Sequence, residues 1–208
     1  MYERGRSNEQ MKEVKALYLI HDLQATLEPL ILDVAEAERL FEADSTQYNR
    51  RAYVRAGFAF IEGTIWLVKN SIIKLLYEGV KIDAQVTERE FNLLWEIKQA
   101  KDANGDVKGV TTQFVSLVDN LRFTMKMANK VYINPVLFEN ENAAYDRLKD
   151  AIEVRNRITH PKFPGDLDVK DKDITTCNEV VRWFNTILEH LYPLLIHADK
   201  KRQESLAS

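Results

Sequence analysis

Residues 57–68 read GFAFIEGTIWLV, a strongly apolar run in which Glu62 is the lone charged residue. A helix without a polar face is buried on several sides, so this segment predicts the central helix of the core. The run belongs to a longer helical pattern that begins after Asp44 and ends near Glu78, with Gly79 placed as its stop. An apolar run of this length is too short to cross a bilayer.

Apolar residues recur at helical spacing through the rest of the chain, and no window shows sustained period-two alternation. This pattern predicts an all-α fold. We expect further helices at residues 8–41 with a kink or break at Pro29, at 87–97 after a capping box at Thr87, at 111–132, at 140–159 and at 174–200. Asn104-Gly105 marks a turn.

The composition agrees with long helices and excludes two classes of protein. Of 208 residues, 45% are hydrophobic, and only 7 Gly and 5 Pro are present, few for a fold of tight turns. The single cysteine, Cys177, excludes an internal disulfide framework. Lys and Arg total 29 against 32 Asp and Glu, so a globally basic nucleic-acid binder is excluded, although a local basic site is not.

These patterns predict three regions. We expect an N-terminal helical arm at 1–43, a helical domain at 44–200 and a polar tail at 201–208. The N-terminus lacks an apolar signal core, so the expected location is the cytoplasm, without a membrane partner.

The segment 151–161, AIEVRNRITHP, contains the main candidates for functional residues. On a helix, Arg155 falls on the stripe of Tyr145, Leu148, Ile152 and Thr159, in line with core residues. A guanidinium keeps its charge, so Arg155 needs an anionic partner or an anionic ligand there.

A histidine follows at the exit of the same helix. His160 precedes Pro161, whose ring disfavours helical geometry at the residue before it, and lies about 7 Å of rise beyond Arg155. Arg155, Asn156 and His160 together suit a phosphate, because Arg supplies a fork of donors and His exchanges a proton near neutrality. The alternative is structural: Arg155 in an ion pair, and His160 as a helix terminator.

The run from Arg155 to His160, followed by Pro161-Lys162, resembles the signature of HEPN domains (higher eukaryotes and prokaryotes nucleotide-binding). That signature is an arginine, four to six residues and a histidine, with a polar residue after the arginine; here the gap is four and the polar residue is Asn156. The resemblance implies a bundle of long antiparallel helices with an N-terminal extension. Many HEPN proteins are metal-independent endoribonucleases, found as toxins and in phage defence, and they dimerise so that two motifs face one another.

Carried to this chain, the resemblance implies a role for each motif residue. His160 would act as general base or acid, Arg155 would hold the scissile phosphate, and Asn156 would orient either of them or the substrate. The expected products are a 2′,3′-cyclic phosphate and a 5′-hydroxyl, formed without metal or cofactor. The implied partners are RNA, a second copy of the chain, and an antitoxin or nucleotidyltransferase-type protein. Alternatives are a non-catalytic RNA-binding or protein-interaction module and a nucleotide-binding regulatory domain.

Glu62 is the second candidate, because a carboxylate in an apolar helix pairs, accepts hydrogen bonds or is protonated. We expect it to be buried and to pair with Arg155 or another motif side chain. A pair with some other arginine, without a catalytic part, is the alternative.

Other charged residues lie close to the motif. Arg157 and Lys162 flank it and are candidates for contacts with an RNA backbone, and Thr159 shares the stripe of Arg155. A weaker basic patch consists of Arg50, Arg51 and Arg55, for which surface ion pairs are the favoured interpretation.

Overall fold

The computed structural model describes residues 20–77, 85–101, 104, 107–132 and 142–207. The predicted all-α class is confirmed. The helices are α1 (Ile20–Ala43), α2 (Gln47–Tyr77), α3 (Glu88–Leu94), α4 (Leu117–Tyr132), α5 (Asn142–Thr159) and α6 (Asp171–Ala207), with a short 3₁₀ turn at Pro164–Leu167. Two short strands, β1 (Ile97–Lys101) and β2 (Val107–Thr112), form an antiparallel hairpin.

Helix α2 is the centre of the bundle, as its apolar sequence predicts. It packs against α1, α4, α5 and α6, and most of its residues between 53 and 75 are buried. The Phe60 ring meets Phe184 of α6 edge to face, with centroids 5.5 Å apart. A Cβ atom at Gly57 would lie 2.9 Å from Cγ2 of Val181, so the missing side chain permits the close approach of α2 and α6.

The predicted N-terminal arm packs on the domain. Helix α1 lies along α2 and contributes Leu27, Val34 and Ala37 to the core. The expected break at Pro29 is absent from this helix, which is continuous from Ile20 to Ala43. The free energy gained by packing along α2 exceeds the cost of the one backbone hydrogen bond that the proline cannot donate. Residues 8–19 of the predicted helix, like the predicted stop at Gly79, lie outside the described residues.

The hairpin corrects two predicted helix boundaries. The helix after Thr87 has the predicted capping box but ends at Leu94 instead of continuing through Ile97, and the next helix begins at Leu117 instead of 111. Between them, five residues of β1 pair with β2, with an irregularity after Ala100. Strands this short and half exposed do not leave a sustained alternation in the sequence.

The last helix is longer than predicted. Helix α6 begins at Asp171, three residues early, and continues to Ala207 through most of the expected polar tail. Its start is fixed by Asp173, whose carboxylate accepts the backbone N–H of Lys170 at 2.9 Å. Within the described part of the chain, no helix is long and apolar enough to cross a membrane.

Candidate functional site

Helix α5 places Arg155 against the central helix α2, where Arg155 forms an ion pair with Glu62. The Arg155 guanidinium donates from Nη2 to Oε1 of Glu62 and from Nη1 to Oδ1 of Asn156, at 2.9 Å for the latter. Its carbon Cζ lies 5.7 Å from the centroid of the Phe58 ring, within the range of a cation–π contact. The hypothesis that Glu62 pairs with Arg155 therefore agrees with the geometry.

This pair lies at the edge of the core, not inside it. The Arg155 and Glu62 side chains are 28% and 41% exposed, so the expected burial of Glu62 is wrong. The stripe predicted through Arg155 runs out of the core: Leu148 is fully buried, whereas Thr159 is exposed. Arg155 sits between them, where an ion pair keeps contact with water and an anion from solvent can approach.

Two contacts show that α2 and α5 run antiparallel. Glu62 meets Arg155, and seven residues earlier on α2, Arg55 donates from Nη2 to the carbonyl oxygen of Ile158 at 3.1 Å. Arg55 thus satisfies one of the free carbonyls at the C-terminus of α5. This places an exposed arginine close to the helix exit that carries His160.

His160 stands at the exit of α5, as predicted from Pro161. Its backbone N–H closes the last helical turn on the carbonyl oxygen of Asn156 at 2.9 Å. Its imidazole is exposed and has no hydrogen-bond partner among the described residues. Thr159, expected to support the site, turns its hydroxyl back to the carbonyl oxygen of Arg155 at 2.7 Å. The imidazole therefore remains available to a ligand.

Arg157 has a structural partnership that the sequence analysis did not predict. It donates from Nη1 to the carbonyl oxygens of Asp166 and Asp168, and from Nη2 to the carboxylate of Asp173. Asp173 is only 8% exposed, and Arg157 supplies its counterion. These bonds aim the guanidinium at the loop that follows the motif, which argues against an RNA backbone contact by Arg157.

The loop after His160 is fixed from within as well. The Asp166 carboxylate accepts the backbone N–H groups of Lys162 and Phe163 at 2.8 and 3.0 Å. These two hydrogen bonds lower the pKa of Asp166 below its usual value. Only the backbone of Lys162 takes part, so its exposed side chain keeps the freedom expected of a phosphate contact.

The basic patch on α2 also binds this loop. Arg50 donates to the carbonyl oxygen of Val169 at 2.9 Å and pairs with Asp171 at 2.6 Å, and Arg51 donates to the carbonyl oxygen of Leu167 at 2.9 Å. The expected surface ion pair is present at Arg50, but backbone carbonyls are the larger share of the partners. These partners could not be predicted from the sequence, because every residue has a backbone carbonyl and the acceptor is therefore not reflected in the residue type.

Other chemistry has little support among the described residues. They contain no group of three His, Cys, Asp or Glu side chains that could hold a metal ion. Cys177 is buried, and burial raises the pKa of its thiol to about 12, so a reactive thiolate does not form near neutral pH. Arg155 and His160 therefore remain the candidate functional residues, the first partly exposed and the second exposed.

Comparisons with protein-family models, with curated proteins and with solved structures gave no significant match to this chain. The HEPN resemblance accordingly remains a prediction from the motif around Arg155 and His160.

Proposed function

We propose that the protein is a metal-independent endoribonuclease of the HEPN type. One observation carries the proposal: the Arg155 guanidinium is held at the surface by Glu62, Asn156 and Phe58, on the same helix that ends at the exposed His160. A guanidinium fixed at the surface, and an exposed imidazole five residues further along the chain, are the kinds of group that phosphodiester transfer uses when no metal takes part.

Arg155 can serve its partners and a phosphate together. A guanidinium has five N–H donors, and the bonds to Glu62 and Asn156 leave three for an anion. Glu62 keeps the guanidinium in one rotamer, so less entropy is lost when phosphate binds. Asn156 adds a second restraint from the adjacent position.

The reaction assigned to the site is a transesterification. His160 takes the proton of a ribose 2′-hydroxyl, the 2′-oxygen attacks phosphorus, and the bond from phosphorus to the 5′-oxygen breaks. The leaving 5′-oxygen takes a proton from a second histidine that starts in its protonated, imidazolium form, and Arg155 stabilises the charge on the phosphoryl oxygens. The products are a 2′,3′-cyclic phosphate and a 5′-hydroxyl.

A second copy of the chain would supply the second imidazole. One neutral histidine cannot be base and acid in the same step, so we propose a homodimer in which two His160 side chains serve one cleft. Cleavage rate per chain should then fall on dilution in parallel with the dimer fraction measured by analytical ultracentrifugation. A rate per chain that stays constant while the dimer dissociates would contradict the composite site.

The direct test is cleavage of labelled RNA in EDTA by the wild type and by His160→Ala and Arg155→Ala. We expect the histidine variant to lose about 10²–10⁴-fold in rate. His190→Ala is the matched control, since His190 is an exposed histidine on α6 that bonds its own helix at Thr186. Wild-type protein that leaves RNA intact, or His160→Ala that cuts at the wild-type rate, would refute the nuclease.

A non-catalytic RNA-binding or interaction module is the second candidate. The Glu62 carboxylate favours it, because it offsets the charge of Arg155 and weakens the pull on a phosphate. RNA binding in EDTA without cleavage would support this module. A toxin or phage-defence role, with an antitoxin or nucleotidyltransferase-type partner, predicts growth arrest on overexpression that His160→Ala relieves.

A further inference from the structure

A groove lies on the surface between α1 and α6. Both helices pack along α2 but meet one another at few residues, and a space of about 660 Å³ remains between them. Its lining includes the buried Leu27 and Leu188, together with Ile31 and Leu32, whose side chains are 44% and 59% exposed. Large aliphatic side chains that stay in water beside an apolar groove commonly mark a binding surface.

The charged residues that line this groove are acidic. Glu28 of α1 and Glu189 of α6 are exposed, and neither side chain has a hydrogen bond or an ion pair among the described residues. The rest of α1 has the same charge: the helix carries six Asp or Glu residues and one basic residue, Arg39, which pairs with Glu36. The groove therefore has an apolar lining and a negative rim.

The lining follows the axes of two helices. Gln24, Leu27, Glu28 and Ile31 on α1 are spaced at i, i+3, i+4 and i+7, the spacing of one helix face, and so are residues 185, 188, 189 and 192 on α6. Each set extends about 11 Å, or two helical turns. Both sets present an amide, a leucine, a glutamate and a larger apolar residue in that order. A groove of this form fits a third helix, which would lay its apolar face between the other two.

The negative rim selects among possible occupants. Carboxylates repel the phosphates of RNA and the anionic surface of a membrane. A second copy of the chain, docked through the same groove about a two-fold axis, would bring Glu28 and Glu189 against like charges. A polypeptide that carries Lys or Arg beside its apolar residues meets neither obstacle.

We propose that the groove between α1 and α6 binds a basic amphipathic helix of a partner protein. The apolar stripe of that helix covers Ile31 and Leu32, and its Lys or Arg side chains pair with the glutamates of the rim. The proposal does not depend on RNA cleavage, because no residue of the groove belongs to the site around Arg155 and His160.

The test uses the full chain and two synthetic peptides of about 14 residues, each about 21 Å long as a helix. The first contains leucines at i, i+3, i+4 and i+7 and lysines at the other positions. The second has glutamate in place of each lysine. Both carry fluorescein, and binding is followed by anisotropy in 0.15 M salt, where charges more than about 8 Å apart are largely screened. We expect the lysine peptide to bind and the glutamate peptide to bind at least tenfold more weakly.

The apolar part of the groove is tested with Leu32→Asp. This variant should weaken binding of the lysine peptide at least tenfold, because the new carboxylate would have to lose water beneath the apolar face of the peptide. Leu40→Asp is the matched control, since Leu40 is 37% exposed on the same helix and lies outside the groove. Binding by the control should stay within about twofold of wild type.

The rim is tested by reversing both of its charges. Glu28→Lys combined with Glu189→Lys should weaken binding of the lysine peptide about tenfold, because two exposed attractive pairs become repulsive. Asp33→Lys combined with Glu42→Lys changes the net charge equally at two exposed positions of α1 outside the groove, and its binding should change less than threefold. All variants should unfold within about 2 °C of wild type, since the altered side chains are exposed.

Three results would overturn the inference. The first is a lysine peptide that does not bind, or that binds the groove variants as tightly as their controls. The second is a glutamate peptide that binds as tightly as the lysine peptide. The third is a wild-type dimer that Leu32→Asp dissociates in analytical ultracentrifugation, because the occupant would then be a second copy. RNA cleavage should be unchanged in every variant, so failure of the nuclease proposal would leave this inference intact.

Discussion

Arg157 provides the sharpest test of how the site is built, because sequence and structure assign it different roles. As an RNA contact its loss would weaken binding and leave the fold intact. In the structure it joins α5 to the loop through the carbonyl oxygens of Asp166 and Asp168 and to α6 through Asp173. We therefore expect Arg157→Ala to destabilise the protein.

The magnitude follows from what the truncation removes. Hydrogen bonds from a charged donor contribute about 1.5–3 kcal/mol each, and three are lost. Water can replace part of the lost hydrogen bonding at the loop carbonyls, since Asp168 is exposed. In addition, the variant no longer loses the roughly 2 kcal/mol of side-chain entropy that ordering the arginine costs on folding. The buried Asp173 keeps one N–H from Lys170 but loses its counterion. The net loss is about 3 kcal/mol, comparable to breaking a buried ion pair.

Thermal unfolding followed by circular dichroism measures this directly. For a chain of this size, 1 kcal/mol corresponds to about 2–4 °C, so Arg157→Ala should lower Tm by about 6–12 °C. Arg157→Lys should lose much of the same stability, because one ammonium cannot reach three acceptors. Lys149→Ala is the control on the same helix: Lys149 pairs with Asp146 at the surface, both more than half exposed, and its loss should shift Tm by less than about 2 °C.

A Tm for Arg157→Ala within about 2 °C of wild type would refute the structural assignment, since a pair of this kind cannot be broken without cost. Weakened RNA binding in the same variant, with Tm unchanged, would return Arg157 to the RNA contacts expected from sequence.

Further predictions concern the pair, the core and acid stability. Glu62→Gln should slow RNA cleavage in EDTA about tenfold, the equivalent of 1.4 kcal/mol of lost positioning, while Glu36→Gln, which breaks an exposed pair on α1, should cleave normally. An undiminished rate in Glu62→Gln would remove Glu62 from the site. Phe184→Ala empties a fully buried position and should lower the free energy of unfolding in urea by about 3–5 kcal/mol; a loss below 1 kcal/mol would contradict the packing. Burial raises the pKa of Glu90, but hydrogen bonds, led by that from Lys130, outweigh it and lower the pKa from 4.5 to about 2. Its stabilisation is complete above pH 4.5 and disappears as the pH falls through about 2, so Glu90→Gln should flatten this acid limb of stability, and an unchanged limb would count against the ion pair.

Local sequence patterns were sufficient to predict the central helix α2 and the start of the helix after Thr87. The central position of α2 could be predicted because a helix without a polar face must be buried on several sides. The cap at Thr87 is equally local, since its partner Glu90 is three residues away. The Arg155–Asn156 hydrogen bond and the backbone hydrogen bond from His160 to Asn156 are local for the same reason, because these residues are neighbours on one helix and its exit.

The hairpin was beyond such patterns because distant partners determine where the preceding helix ends. Glu96 adopts a positive φ of 52°, and its carboxylate accepts from the buried Lys69 at 2.8 Å and from Asn120 at 3.0 Å. Lys69 is 2% exposed and needs that counterion. A long-range charge requirement therefore turns the chain at Glu96, where helical spacing alone would have continued it.

The sequence by itself determined that the chain is helical and which helix is central, and it proposed Arg155, Asn156 and His160 as a motif, because these patterns depend on neighbours within about two helical turns. Only the tertiary structure decided that Glu62 reaches Arg155 at the edge of the core and that Arg157 binds the loop. The physical reason is that these relations join segments far apart in the chain, and several of the partners are backbone carbonyls, which every residue carries alike.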